Sequence, residues 1–389
     1  MTTTVDPDLD RRFPAVLDIE RAASRRMPKF VRDYVACGMG RGGGLQRNRD
    51  ALDSVRLLPR YLVDADKVDT ATTLLGKDYA APFGVAPVGL GGIAWSRSTE
   101  TIAAAAREHR IPFAAATFAL ASLETLRKNA GDYGWFQLYR PNIADIEEDI
   151  LHRAETVGYD TLIVTVDVPA PMRRDHDIRN GFSLPLQFGL RTAAGIAACP
   201  AWAIGMLRSG FPTFETLARY VPDGMSNNQA LDFMTDLTAN HTTPKMLEKL
   251  RARWPGKLIV KGILDADEAV LCRDIGLDAV IVSNHGGRQL EAAPSPVDVL
   301  PEIRATVGGT FPLIADGGVR TGTDIARMLA KGADFVLAGR PFYWSVAAMG
   351  QRGADHNMRI LKSELECVMG QLGCRTVAEI PDRLIERGT

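Results

Sequence analysis

The chain has 389 residues, 46% apolar and 24% charged, with 46 basic and 47 acidic side chains giving a formal net charge of −1. This balance is ordinary for a globular protein with a large core. It argues against a nucleic-acid surface, since no Lys/Arg-rich stripe with interleaved aromatics is present. Cys37, Cys199, Cys272, Cys367 and Cys374 lack CxxC spacing, so neither a disulfide framework nor a zinc site is expected. Residues 1–7 are polar and acidic, unlike a signal peptide, and a cytoplasmic location is the expectation.

In chain order, residues 1–80 are expected to form a helical extension with a hairpin. Apolar, β-rich runs then recur at 82–88, 112–117, 135–139, 161–166, 258–262, 279–283, 312–315 and 335–338. Between them lie segments with apolar residues at helical spacing, including 99–109, 144–157, 266–275 and 323–331. Strands alternating with helices in this way predict an α/β chain folded as one domain, a closed (β/α)8 TIM barrel over residues 81–380. An open doubly wound sheet is the alternative. The rhythm breaks at residues 181–243, a connection too long to be ordinary unless it has a function. Within it, residues 184–207 are apolar, carry Trp202 and Met206, and have Pro185, Pro200 and Pro212 in or near them. Pro200 and the interior charge of Arg191 argue against a membrane-crossing helix. Two readings stay open: an interfacial membrane segment, and a lid on the barrel mouth or a neighbouring subunit.

The active site of such a barrel is built at the carboxyl ends of its strands. The first run ends in Ala86-Pro87-Val88-Gly89, small and close-fitting. The third ends in Gln137-Leu138-Tyr139, the fourth in Thr165-Val166-Asp167 with Arg173 and Arg174 beyond, and the fifth in Lys261. The sixth runs into Ser283-Asn284-His285-Gly286-Gly287-Arg288-Gln289-Leu290. Taken alone, that loop also reads as a polar turn closing a strand. A neutral histidine makes a general base, a carboxylate such as Asp167 stabilises the imidazolium that forms, and arginines clamp a carboxylate substrate. The seventh and eighth ends, Asp316-Gly317-Gly318-Val319-Arg320 and Gly339-Arg340, together fit a phosphate site. Lys261 has three readings: the Schiff-base lysine of an aldolase, a cation facing an anionic cofactor edge, or a snorkelling structural residue. No acidic residues show metal-ligand spacing, and no metal is expected. The remaining histidines lack comparable company.

On Asp33-Tyr34, Asn48-Arg49, Ala86-Pro87, Phe136 to Tyr139, Thr165 to Asp167, Arg174, Lys261-Gly262, Ser283 to Leu290, Asp316 to Arg320 and Gly339-Arg340, the chain resembles the FMN-dependent L-2-hydroxy acid oxidases and dehydrogenases. The resemblance runs from about residue 28 to 380, apart from the insertion. The surroundings of Gly89 look most like the mandelate dehydrogenase group. It implies FMN as cofactor and oxidation of an L-2-hydroxy acid, with a bulky side chain preferred, to the 2-keto acid. His285 would be the base, paired with Asp167, with Arg174 and Arg288 on the substrate carboxylate and Tyr34 and Tyr139 on substrate oxygens. Pro87, Val88 and Gly89 would face the flavin, Gln137 and Thr165 its pyrimidine edge, Lys261 its N1 and O2, and Ser283 the ring. Asp316 would bind the ribityl chain, and Gly317, Gly318, Arg320, Gly339 and Arg340 the phosphate. The resemblance also implies a homotetramer, a membrane-attached insertion, and a quinone as next acceptor; oxygen is the acceptor in the oxidase alternative. A flavin-binding module without turnover is the alternative of another class. Val88, Ala116, Phe118, Met172 and Glu291 depart from the family pattern; at Val88 and Ala116 a hydroxyl is lost.

Overall fold

The computed structural model of the protein describes residues 6–63, 67–170, 173–182, 189–210, 213–239 and 241–385. Met172, Pro185, Pro212 and the first five residues of the apolar 184–207 segment lie outside the described residues. Eight strands form the centre: β1 (Phe83–Val85), β2 (Phe113–Ala116), β3 (Gly134–Leu138), β4 (Thr161–Thr165), β5 (Lys257–Ile263), β6 (Ala279–Val282), β7 (Leu313–Ala315) and β8 (Phe335–Ala338). Each pairs in parallel with the next, and β8 returns to β1 through Val336–Phe83, Leu337–Gly84 and Ala338–Val85. The sheet therefore has no edge, and the TIM barrel is the architecture; the open sheet is excluded. Helices Ser98–Glu108, Ala144–Thr156, Ala266–Asp274 and Gly322–Ala330 occupy the expected stretches.

Strand side chains alternate between two faces, and here both faces are buried. Leu162, Val164, Leu258, Val260, Val280 and Val282 pack outward in the cluster shared with the helices, all fully buried. Their neighbours Trp135, Ile163, Ile259, Ile281, Ile314, Phe335 and Leu337 form a second cluster, which alternation assigns to the barrel interior. This double burial is why the strands appear in the sequence as unbroken apolar runs. A hairpin, Thr72–Leu74 with Lys77–Tyr79, stoppers the amino-terminal end. The Tyr79 ring lies 5.5 Å from Phe335 and 6.3 Å from Trp135, and the Trp135 indole N–H donates to the Tyr79 hydroxyl at 3.2 Å.

The extension also reaches the carboxyl end of the barrel. Helices α1 (Lys29–Ala36) and α2 (Gly43–Ser54) abut the loops after β6 and β7. At Gly287 (φ +74°) a Cβ would lie 2.8 Å from the Leu45 nitrogen and 2.9 Å from the Gly44 carbonyl carbon, so only glycine lets α2 approach. Within the insertion, α3 (Leu190–Ala197) and α4 (Pro200–Ser209) meet at 99°, and α5 (Asn227–Thr238) follows. Among the described residues no single helix is long and apolar enough to cross a membrane.

Phe335 is fully buried between the stopper and the barrel interior. Phe335→Ala is expected to cost about 3–5 kcal/mol of unfolding free energy, read by denaturant titration. A loss under about 1 kcal/mol would mean the interior is not close-packed at this level.

Candidate active site

Alternation along the strands builds the floor of the site. Two residues beyond the interior Trp135, Ile163, Ile259, Ile281 and Ile314 stand Gln137, Thr165, Lys261, Ser283 and Asp316, all buried. The Lys261 ammonium donates to Ser283 Oγ at 2.7 Å and pairs with Asp316 Oδ2 at 3.0 Å. A lysine held by a carboxylate is a fixed cation, not the free amine that an imine mechanism needs, so the aldolase reading is set aside. Two buried polar atoms on this floor, Gln137 Nε2 and Asp316 Oδ1, have no hydrogen-bond partner among the described residues. Buried amide and carboxylate groups carry a penalty unless hydrogen-bonded, so both mark places for a polar ligand.

His285 follows β6 in a left-handed conformation (φ +57°), and Gly286 and Gly287 continue it with φ of +63° and +74°. Such a conformation is uncommon for a side chain larger than glycine and persists only where neighbours hold it. Ser283 Oγ accepts the His285 N–H at 3.0 Å, and Asn284 Oδ1 accepts the Gly287 N–H at 3.1 Å. Asn284 is itself locked to Asn48 of α2 by reciprocal side-chain bonds of 2.7 and 3.0 Å. The imidazole Nδ1 lies 2.9 Å from Asp167 Oδ1. A carboxylate only accepts, so Nδ1 carries the proton and Nε2 keeps a free lone pair. Asp167 comes this close because β5 is irregular at Gly262 (φ +111°), where a Cβ would lie 2.6 Å from that of Asp167. Burial lowers the His285 pKa below the usual histidine value; the Asp167 charge opposes this without cancelling it. Burial raises the Asp167 carboxyl, but the charge and hydrogen bond of His285, with Lys261, outweigh it and hold Asp167 below the ordinary range.

Four arginines converge on the same cavity, of about 560 Å³, with Tyr34, Tyr139, Lys261, His285 and Asp316 in its wall. Arg288 donates to the carbonyls of Tyr34 and Cys37 and stacks 4.8 Å over the Tyr34 ring. Arg174 opens the short helix Asp175–Arg179. Tyr34 donates to the Gly89 carbonyl at 3.0 Å. Burial, then the Asp167 charge, pushes the Tyr139 hydroxyl up, so it stays a neutral donor. At the far end Arg340 donates to Val35 and Gly286 carbonyls, and Arg320 lies 4.7 Å over Trp344. Burial brings Arg320 down to about 10, and burial with the charges of Arg288 and Arg320 brings Arg340 well down. That crowding of cations describes a pocket of positive potential ready for an anion.

Pro87, Val88, Gly89, Gly317, Gly318 and Gly339 line the cavity with these groups. Asp167 and Ser283 support that wall: Asp167 holds His285, and Ser283 holds Lys261. The other end of the wall is apolar. Phe30, Phe118, Phe182, Trp202, Met206, Phe214 and Leu231 line it, with Trp202 buried and donating to the Ile93 carbonyl at 2.8 Å. Phe118 and Phe214 meet edge to face at 5.0 Å. Of these, only Phe118, Trp202 and Met206 attract notice in the sequence. Glu291, a departure from the family pattern, accepts from the Arg41 and Gly43 N–H groups at 2.9 and 3.1 Å and so ties the entry of α2 to the His285 loop.

The cavity fits a flavin mononucleotide in kind: an anion-seeking end with glycines, a floor with an unpartnered amide nitrogen (Gln137 Nε2) and carboxylate oxygen (Asp316 Oδ1), and a lysine beside them. Comparison with known proteins agrees. Residues 23–387 match the model of the FMN-dependent dehydrogenase family. The chain is 37% identical to an L-lactate dehydrogenase of Caulobacter vibrioides over 371 residues, 95% of this chain and 96% of that one. It is 34% identical to the (S)-mandelate dehydrogenase of Pseudomonas putida over 378 residues, 96% and 94% of the two chains. The crystal structure of the monotopic membrane protein (S)-mandelate dehydrogenase superposes with a TM-score of 0.90 at 34% identity, covering 96% of this chain and 99% of that one. The chain is a member of the FMN-dependent dehydrogenase family and an FMN-dependent oxidoreductase.

Proposed function

We propose that the protein oxidises an L-2-hydroxy acid with a bulky, preferably aryl, side chain to the 2-keto acid and passes the electrons to a membrane quinone. The observation that carries the reading is the His285–Asp167 pair, with His285 in the wall of a cavity that Arg174, Arg288 and a group of aromatic side chains also line. Arg174 and Arg288 bind the carboxylate, and Tyr34 and Tyr139 orient the oxygens. His285 Nε2 takes the substrate proton, and Asp167 stabilises the imidazolium that results. Lys261, Gln137, Asp316, Gly318, Arg320, Gly339 and Arg340 hold the cofactor. FMN, when bound, supplies the acceptor for the two electrons leaving the substrate. The apolar wall excludes water around His285 and takes the side chain; mandelate and lactate dehydrogenases among the relatives bracket the range of acids.

The insertion supports a peripheral membrane contact. Trp202 and Met206 of α4 point into the cavity wall, while Leu190, Ile204 and Leu207 are 91%, 49% and 81% exposed, beside exposed Arg191 and Arg208. An apolar ridge with flanking arginines is the composition of a helix pair lying in the headgroup region. The segment thus serves both readings drawn from the sequence, a lid on one face and a membrane contact on the other.

Anaerobic addition of mandelate should bleach the flavin faster than lactate does. Slow reoxidation in air with a fast response to a soluble quinone supports the dehydrogenase; rapid reoxidation with stoichiometric peroxide makes the protein an oxidase. His285→Ala should retain FMN and lose flavin reduction by on the order of 10³-fold or more. Protonated His285 cannot act as base, so kcat/KM should fall as pH drops through its lowered pKa, placing the acid limb below 6.5. Asp167→Asn removes the charge that raises this pKa, so its limb should move further down while kcat drops. A limb above 6.5 would contradict the burial argument. Co-sedimentation with anionic vesicles should be lost in the triple variant Leu190→Asp, Ile204→Asp, Leu207→Asp, with turnover on a soluble dye acceptor retained; undiminished sedimentation would remove the membrane role from this ridge.

A further inference from the structure

The phosphate end of the cavity depends on a residue outside its wall. Arg49, a partly buried residue of α2, donates through one nitrogen, Nη1, to the Gly318 carbonyl at 2.7 Å and to Asp324 Oδ2 at 2.6 Å. The Asp324 side chain is fully buried, and the same oxygen also accepts the backbone N–H groups of Arg320 at 2.9 Å and Thr321 at 3.1 Å. Three donors thus converge on one carboxylate oxygen, and every one belongs to, or is tied to, the glycine loop after β7. Asp324 also closes a capping box with Thr321, which starts helix Gly322–Ala330. An outer pair, Asp53 and Arg327, braces the clamp from solvent: Arg327 reaches Asp53 at 2.9 Å and Asp324 Oδ1 at 3.1 Å.

The geometry of a trans peptide gives this clamp a consequence inside the cavity. Its carbonyl and N–H point in opposite directions. Drawing the Gly318 carbonyl outward to Arg49 turns the N–H of Val319 the other way, and Val319 lines the cavity. Among the described residues neither that N–H nor the N–H of Gly318 has a hydrogen-bond partner. Gly318 sustains the conformation at φ +87°, pressed against α2 where a Cβ would lie 3.1 Å from both Asn48 Cβ and Leu52 Cδ1. Successive free N–H groups in a glycine turn make an anion-binding concavity, and their orientation decides its strength.

We infer that Arg49 is a positioning residue for the cofactor phosphate, acting through the Gly318–Val319 peptide and Asp324 rather than by contact with the anion. The inference rests on the placement of the phosphate between Gly318, Arg320 and Arg340. It predicts a loss confined to the phosphate, so riboflavin, which shares the ring and ribityl chain, is the internal control. Apoprotein of the wild type, Arg49→Ala, Arg49→Lys and Arg340→Ala would be titrated with FMN and with riboflavin, following flavin fluorescence. Arg49→Ala should weaken FMN roughly tenfold to a hundredfold, the size of a lost charge-assisted bond, with riboflavin within about twofold of wild type. Arg49→Lys keeps the charge but not the bridge, should fall between, and carries the test if the alanine variant does not fold. Equal losses for the two flavins, or no loss for either, would overturn the inference. Arg340→Ala separates the layers. If it abolishes the preference for FMN while the Arg49 variants behave as wild type, Arg49 alone is refuted; if it keeps the preference, the phosphate placement fails and the inference with it.

Discussion

A lysine, a histidine, four arginines and two aspartates share one cavity or its immediate backing at the mouth of this barrel. Bringing charges out of water is costly, and it is tolerated only where each finds a partner or awaits one. Lys261 meets Asp316, His285 meets Asp167, and the guanidinium groups of Arg288 and Arg340 spend donors on carbonyls of the segment from Tyr34 to Cys37. Positive charge is left over at one end, where burial lowers both Arg320 and Arg340 and the Arg320 charge depresses Arg340 further. The site thus carries the charge pattern that an anionic cofactor complements. The amino-terminal extension is part of it, because its carbonyls and Asn48 hold the arginines and the His285 loop in place.

Much of this is legible in the amino-acid sequence, and for one reason. Parity along a strand carries the interior apolar positions forward to a candidate site residue two places on: Ile259 to Lys261, Ile281 to Ser283, Ile314 to Asp316. Once eight strands are assigned, strand ends become site positions, and the glycines mark close approach. Depth is another matter. Gln137, Thr165 and Ser283 have the right parity, but how deep each lies depends on strand stagger that a linear pattern does not contain. Phe182, Phe214 and Leu231 come from the insertion, whose elements follow no barrel rhythm. Arg49 is visible in the sequence as a motif residue only; its partners, Gly318 and Asp324, lie 269 and 275 positions away.

The insertion presents two faces. Its helices must roof the end where the strand loops leave His285 open, which commits Trp202 and Met206 inward. A short helix buries about one stripe, so the opposite stripe of α4, with Ile204 and Leu207, is left to whatever lies outside. In a protein surrounded only by water that stripe would favour polar residues. Leucine and isoleucine there, with arginines alongside, are what the proposed membrane contact rests on.

The two ends of the cavity are also mechanically joined. Arg340 donates to the carbonyl of Gly286, the residue after His285, and a Cβ at Gly286 would lie 2.9 Å from the same guanidinium nitrogen. Asn284 holds the same loop from the other side, through Asn48 on α2, the helix that carries Arg49. The His285 loop is thus wedged between α2 and Arg340. In the proposed reading, the residues that seat the cofactor phosphate and the residue that takes the substrate proton would share this one scaffold.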